Sequence, residues 1–440
     1  MKQIILNPGI FLTVAASAVV YFLLAINLSK SRRVRAFLHI SFTAITLIAI
    51  PGTDIFPINR LHPKWLIFPS LNTMILLAIY ASVAIIVNSR FKHLLGEFLS
   101  LLSKDIFLGF LMVFLLFSGS WSAVPEISFR YSVGLVFASA LAAHIGRTYS
   151  WKQLSVFLRF GNAFVAFFGL LFSIFIPSIG VNEKGWKGLL IHPNILAAFL
   201  ALTIAIWFLD AIQNPRDRKL SIPIILGLFF VLIKTNSTGG LLVTAILLSL
   251  VSVMSFFKKF FKSVPFRPAF AGFVVFIVAS LIISLLAFEN IETVFAAFGK
   301  DLTFTGRADF WAQIIGYVQE KPLLGYGHRG FWLEPGGPAS FVRTNSGFRP
   351  VEAHNGFLEL TLDLGITGLI LFLLSFGRST YLAFRFALQS SSLDGLIPLL
   401  IMIFLMSSNT VESRLLTVDY IWFYYILSAA KLNTNSLHTS

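Results

Sequence analysis

The chain has 440 residues, of which 57% are apolar, 15% aromatic and 12% charged, with a formal net charge of +15. A soluble chain of this length would divide into about three domains and carry roughly 25% charged residues, so the composition excludes a water-soluble globular protein. The absence of cysteine excludes disulfides, thiolate chemistry and Cys-ligated metal, and the basic residues stand in short clusters between apolar stretches, the pattern of membrane anchors rather than of a nucleic-acid footprint.

From the N-terminus, Ala16-Ser17-Ala18 mimics a signal-cleavage site, but the apolar run continues through Leu28 and predicts a retained first span. Spans are predicted at 10–28, 36–51, 65–87, 106–119, 129–146, 154–177, 191–212, 220–233, 239–257, 269–288, 354–376, 395–409 and 418–430. Those at 36–51, 220–233, 395–409 and 418–430 are short against the roughly 20 residues a crossing helix needs, so the count is twelve or thirteen. A barrel would alternate polar and apolar residues; these runs do not, and in hydrocarbon only helices then satisfy the backbone. The expected fold is an all-α polytopic membrane protein, one integral domain over residues 1–440.

Lys30 to Arg35, Arg90 with Lys92, Arg147 with Lys152, Arg216 to Lys219, Lys258 to Lys262, and Arg378 with Arg385 fall in alternate loops, which assigns those loops to the cytoplasm. The other loops face outward, and only the one over 289–353 is long, a length that marks a functional segment. Within it Phe310, Trp311, Ile314, Ile315 and Val318 recur at helical spacing, with Thr305 as N-cap and Pro322 as stop, and predict an amphipathic helix on the outer membrane surface. The glycine-bracketed Pro322-Leu323-Leu324-Gly325-Tyr326-Gly327 and the cluster Glu334-Pro335-Gly336-Gly337-Pro338 predict turns.

Polar residues beside spans are costly and are candidates for function, and here they gather on the outward side. His354, at the return to the bilayer, could act as a general base, because an ordinary histidine accepts protons at neutral pH; the structural alternative is a helix-start histidine bonded to backbone. Arg307 could clamp a phosphate with its planar fork or anchor to lipid headgroups. Arg329, Arg343 and Arg349 share its loop, and Arg130, Lys234 and Arg414 lie in neighbouring outward loops, forming either a positive mouth for an anionic ligand or separate surface charges. Trp121-Ser122 with Pro125 reads as an interfacial turn, and His192-Pro193-Asn194 as a helix cap or site lining. Glu412 reads as a structural partner of Arg414 or of a loop arginine, or as a site residue. No Asp-x-Asp, His-x-x-x-His, phosphate-cradling Gly-x-x-x-x-Gly-Lys or Gly-x-Ser-x-Gly occurs, which disfavours metal-dependent and ATP-driven chemistry.

Taken together, Trp121-Ser122-Ala123-Val124-Pro125 with Ser128 and Arg130, Trp186 through Asn194, Thr305-Gly306-Arg307 through Trp311, Pro322 through Gly327, His354-Asn355-Gly356-Phe357-Leu358-Glu359, Leu364-Gly365-Ile366-Thr367-Gly368, and Asn409 to Ser413 resemble the O-antigen ligase and polysaccharide polymerase superfamily, particularly its exopolysaccharide polymerase branch. The matching core runs from about 120 to 415. The resemblance implies a metal-independent glycosyltransferase without cofactor in the bacterial cytoplasmic membrane. Its donor would be a polyprenyl-diphosphate-linked glycan, its acceptor a glycan or lipid, and its expected partners a flippase and a chain-length regulator. It gives His354 the role of catalytic base and Arg307 that of diphosphate ligand, with Lys234 and Arg130 as supporting charges and His192, Asn194, Tyr326, Asn355 and Glu412 lining the substrate. One departure stands out. Ligases of the family carry an arginine in a Ser-Arg-Gly-like turn, whereas the corresponding Asn236-Ser237-Thr238-Gly239-Gly240 has Thr238 in its place. This favours polymerisation of repeat units over ligation of a finished glycan to lipid or protein. A polytopic transporter is the third reading, opposed by the crowding of polar residues toward one side rather than the midplane.

Overall fold

The computed structural model describes residues 43, 93–275, 279, 305–334, 336–345 and 350–434, the side chains of 257, 259, 261–262, 305–309 and 345 excepted. The spans expected at 10–28, 36–51 and 65–87, the second half of 269–288, the first part of the long loop and Arg349 lie outside the described residues.

The chain is an all-α polytopic membrane protein. Helices α1 (His93–Lys104) and α2 (Ile106–Phe117) meet at Asp105 with a bend of 114°, and Asp105 accepts a hydrogen bond from the Leu108 N–H to cap α2. Then come α3 (Pro125–Thr148), α4 (Trp151–Phe175), α5 (Pro193–Gln213), α6 (Arg218–Lys234), α7 (Thr238–Ser263) and α8 (Phe266–Val275). The long loop supplies α9 (Thr305–Glu320) and α10 (Pro338–Asn345), and α11 (Gly356–Gln389), α12 (Ile397–Ser408) and α13 (Tyr420–Leu432) close the chain. Among the described residues α3, α4, α5, α7 and α11 are long and apolar enough to cross a bilayer, and the bent α1–α2 pair passes the same test together. Over the described residues the expected spans from 106 to 257 and from 354 onward fall on helices, and the described first part of 269–288 on α8, but α1 is an addition and α11 runs on past Arg378 and Arg385.

Helices α5, α12 and α13 are apolar on nearly every face because they are buried on nearly every face. Aromatic residues of α13 fill the centre while their polar tips find partners: Trp422 donates to Ser139 Oγ at 2.9 Å, Tyr424 to Asn162 Oδ1 at 3.1 Å and Tyr420 to the Ile195 carbonyl at 3.2 Å. A Cβ on Gly146 of α3 would come within 2.2 Å of the Leu427 carbonyl oxygen, so this glycine permits the close crossing of α3 and α13.

Helix α11 is interrupted at Gly365 (φ 65°, ψ −171°), a backbone conformation open essentially to glycine. The break is satisfied by the loop turn over 322–327. The Tyr326 N–H donates to the Leu362 carbonyl at 2.7 Å, Gly327 N–H to Asp363 at 2.9 Å, and Ile366 N–H to Pro322 at 2.7 Å. Gly325 (φ 65°) and Gly327 (φ 83°) make the turn tight enough to do this, as their flanking positions predict. Trp121 adds a donation from Nε1 to the Leu324 carbonyl at 3.0 Å.

Helix α9 sharpens one expectation. Part of its apolar stripe is spent on the protein: Phe310 and Ile314 pack with Tyr326, Phe331, Trp332, Val342 and Leu362 in a small core of the loop's own, while Ile315 of the same stripe is exposed. That core seats the loop on the head of α11.

Candidate active site

The head of α11 is where the candidate residues meet. His354 precedes the helix with φ 51°, a left-handed conformation uncommon outside glycine. Asn355 caps α11, its Oδ1 accepting from the N–H groups of Phe357 (3.0 Å) and Leu358 (3.2 Å). The Asn355 N–H donates to Ser413 Oγ at 3.1 Å and the Gly356 N–H to the Asn409 carbonyl at 2.8 Å, so the turn joining α12 to α13 is fastened to the start of α11. Gly356 lies against the Asn409 side chain, where a Cβ would stand 2.1 Å from Oδ1.

That fastening sets two carboxylates beside the His354 ring. Nδ1 lies 3.5 Å from Glu352 Oε1 and 3.7 Å from Glu412 Oε2. Glu412 is held in turn by Asn194, whose Nδ2 donates to Oε1 at 2.7 Å, and by Arg414 at 3.8 Å; Arg414 also pairs with Asp419 at 3.8 Å. Burial pushes the Glu412 carboxyl up, but the His354 contact, the Arg414 charge and the Asn194 amide outweigh it and hold the group down at about 2. Burial pushes Glu352 the other way, up to about 7, against the pull of Arg414 and with the nearby Glu412 and Glu359 adding to the rise. One carboxylate is therefore fixed as an anion and the other titrates near neutrality. The His354 side chain is 27% exposed against 8% for Glu412, so the ring reaches open surface while its anchoring carboxylate does not.

His192 and Asn194 enter from α5. His192 is the N-cap, Nδ1 accepting from the Asn194 N–H at 3.2 Å, with Pro193 in the first turn. The cap and site-lining readings of this motif are both met: His192 caps, and Asn194 reaches Glu412. Burial depresses the His192 pKa, against the pull of Glu412. The antiparallel hairpin β1 (Val181–Asn182) and β2 (Gly185–Trp186) precedes α5, and Gly185 approaches the Thr235 carbonyl so closely that a Cβ would stand at 2.6 Å. Beyond it, Ser237 caps α7 through the Gly240 N–H, and Gly239 abuts Val411 beside Glu412. The turn that lacks the ligase-type arginine thus adjoins the site.

The other expected residues are described by contacts of their own. Tyr326 is 4% exposed and its hydroxyl donates to Glu320 at 3.0 Å; it is a packing residue of the loop core, because its flanking glycines turn the side chain inward rather than toward open surface. Arg130 is exposed, its guanidinium 5.7 Å from the Tyr131 ring, which Arg329 approaches from 5.4 Å. Lys234 ends α6 and lies over Phe230 at 5.7 Å. Arg307 is in the first turn of α9, and its side chain is outside the described residues.

Glu352 was not among the expected residues, although a carboxylate two positions before a candidate base is visible in the sequence. His328 carries no expectation from the sequence, and Glu359 enters it only as the end of a matching stretch, without a role of its own. His328 is 2% exposed and ties the loop to α3 and to the turn between α12 and α13, with Nε2 3.0 Å from the Leu416 carbonyl and Nδ1 3.1 Å from Ser132 Oγ. Glu352, His354 and Glu412 each place one ligand-type atom within 4.8 Å of the others, so the group could also hold a cation.

The model of the O-antigen ligase family matches residues 223–373. The exopolysaccharide production protein ExoQ of Rhizobium meliloti is 25% identical over 310 residues, 67% of this chain and 68% of its own. A Rickettsia conorii protein named as a polysaccharide ligase is 33% identical over 91 residues, 20% of each chain. The family match includes the turn at 236–240, Arg307, His354 and the kink at Gly365.

Proposed function

We propose that this chain, whose residues 223–373 match the O-antigen ligase family, is a membrane glycosyltransferase that polymerises polyprenyl-diphosphate-linked repeat units on the outer face of the bacterial cytoplasmic membrane. The observation that carries the reading is the His354 ring, turned by Nδ1 toward Glu352 and Glu412 and partly exposed at the head of α11. With Nδ1 facing the two carboxylates, Nε2 is assigned in this reading as the proton acceptor. The acceptor hydroxyl gives its proton to Nε2 as its oxygen bonds to the anomeric carbon of the donor sugar. The bond from that carbon to the phosphate oxygen breaks, and the electron pair leaves with the polyprenyl diphosphate. Glu412, fixed as an anion, stabilises the imidazolium so formed. Arg307, with Lys234 and Arg130 as further positive charges, compensates the departing diphosphate, so that no metal ion is required. Donor glycan, acceptor glycan and bilayer are the partners of the reaction, and a flippase and a chain-length regulator are proposed beside them.

The longer match to a protein named for exopolysaccharide production and the arginine-free turn at 236–240 support polymerisation. The family's description and the Rickettsia relative support the second reading, ligation of a finished glycan to a lipid or protein acceptor. Purified protein in lipid nanodiscs, given a defined lipid-linked repeat unit, separates the two. A ladder of products is expected without added acceptor; a single transfer that requires a separate acceptor means ligation. In the same assay His354→Ala is expected to stop transfer and Arg307→Lys, which keeps charge but loses the fork, to slow it. Chelation by EDTA is expected to change nothing. Loss with EDTA and recovery with a divalent cation would instead assign Glu352, His354 and Glu412 to a metal.

A further inference from the structure

The His354 backbone is held in place by its neighbours rather than by its own preference. A non-glycine residue in the left-handed region persists only where the surroundings over-determine it, and here the preceding peptide is gripped from both sides. Glu359, in the first turn of α11, reaches back so that Oε2 accepts the Ala353 N–H at 2.6 Å, and the same oxygen accepts the Trp332 indole N–H at 3.0 Å. On the other side the Trp311 indole N–H donates to the Ala353 carbonyl at 2.9 Å. Ala353 is fully buried and Glu359 is 3% exposed, so the bond between them is shielded from bulk water. Trp311 stands on α9, one helical turn after Arg307. Trp332 is itself tied onward, its carbonyl accepting from Arg343 Nη2 at 2.9 Å.

We propose that Glu359 and Trp311 are positioning residues for His354: their bonds to the two ends of Ala353 hold the base in its left-handed turn toward Glu412 and link it to the loop helix that carries Arg307. Neither touches a reacting atom. The link makes the distance between base and diphosphate ligand a property of one hydrogen-bonded chain, Trp311 to Ala353 to Glu359, and not of two separately placed side chains. The proposal rests on His354 being the base.

The test measures kcat and donor KM for Glu359→Leu, Glu359→Gln, Trp311→Phe and His354→Ala in nanodiscs. Small displacements of a catalytic group cost up to about a hundredfold in rate, so Glu359→Leu is expected to lower kcat by that order, and Trp311→Phe, which loses one N–H and keeps the ring, by roughly tenfold, both with donor KM unchanged. Glu359→Gln keeps an oxygen for both N–H donors and is expected to restore kcat. If Glu359→Leu does not fold, Trp311→Phe decides. A rate within about twofold of the unsubstituted protein for Trp311→Phe and Glu359→Leu, with His354→Ala inactive, overturns the positioning role and leaves the base standing. Glu359→Gln as slow as Glu359→Leu also overturns it, since the group would then be needed as an acid and not as a clamp. An active His354→Ala overturns the base itself, and with it both claims.

Discussion

His328 shows how one buried side chain can make the loop sensitive to acid. Burial, with the Arg329 charge adding to it against the Leu416 hydrogen bond, pushes its pKa down to about 3, whereas an unfolded histidine titrates near 6.5. Between those values the unfolded chain binds the extra proton, so the stability His328 contributes is complete above about pH 6.5 and is lost as pH falls toward 3. Glu352 acts in the opposite sense. Its carboxyl, raised to about 7, favours the folded state below about 4.5, its ordinary value, and that contribution is lost as pH rises through 7. Thermal unfolding of the detergent-solubilised protein from pH 4 to 8 is expected to show a shallower acid loss for His328→Gln and a smaller decline on the alkaline side for Glu352→Gln; unchanged profiles would refute these assignments. The residues legible in the sequence were those adjoining a span end, where a polar group has few bland explanations: His354, Asn194, Asn355 and Glu412 do converge. Glu352 and Glu359 were not legible as partners, because their roles come from a chain reversal at φ 51° that no spacing encodes. Tyr326, expected to line the substrate, is buried in the core formed by α9, a packing partner that no spacing in the sequence shows.

The kink in α11 is the element on which the site's placement turns. A Cβ at Gly365 would lie 2.3 Å from the Leu323 carbonyl carbon and oxygen and would need a positive φ, so Gly365→Ala is expected to destabilise the protein by about 2–3 kcal/mol and to loosen the turn over 322–327 from α11. Gly377→Ala on the same helix meets nothing within 4 Å and is expected to be neutral or to stabilise by up to about 1 kcal/mol. Thermal unfolding of the two variants checks the pair, and equal effects would mean that the turn does not depend on the break. Hydropathy located the crossing helices well because a long apolar run has one physical solution in lipid. It could not locate the kink, since glycine is frequent in membrane helices, nor α1, whose Glu97 and Lys104 break the apolar run without breaking the helix. The stripe on α9 was legible as a helix but not as to what it faces, because a lipid surface and a protein core select the same residues.

At the scale of the whole molecule, the helix bundle has chemically different ends. The start of α5, the start of α11 and the turn between α12 and α13 bring His192, His354 and Glu412 to one end, and the turn between α5 and α6, at the far end of α5, carries Arg216, Arg218 and Lys219. In the proposed reaction the first end faces outward, where a lipid-linked donor would be presented, and the bias of basic clusters predicts that the second faces the cytoplasm. The two expectations come from unrelated physics, leaving-group chemistry and insertion bias, and they agree on one orientation. The cysteine-free sequence makes that orientation directly measurable. Lys321 and Arg216 are both exposed, one in the long loop and one in the α5–α6 turn, so each can be replaced by a lone cysteine. A membrane-impermeant maleimide applied to intact cells whose outer barrier has been opened is expected to label Lys321→Cys at once and Arg216→Cys only after the membrane is permeabilised. The reverse pattern would place His354 and the loop on the cytoplasmic side, where a diphosphate-linked donor on the outer leaflet is out of reach, and the glycosyl-transfer reading would fall with the topology that supports it.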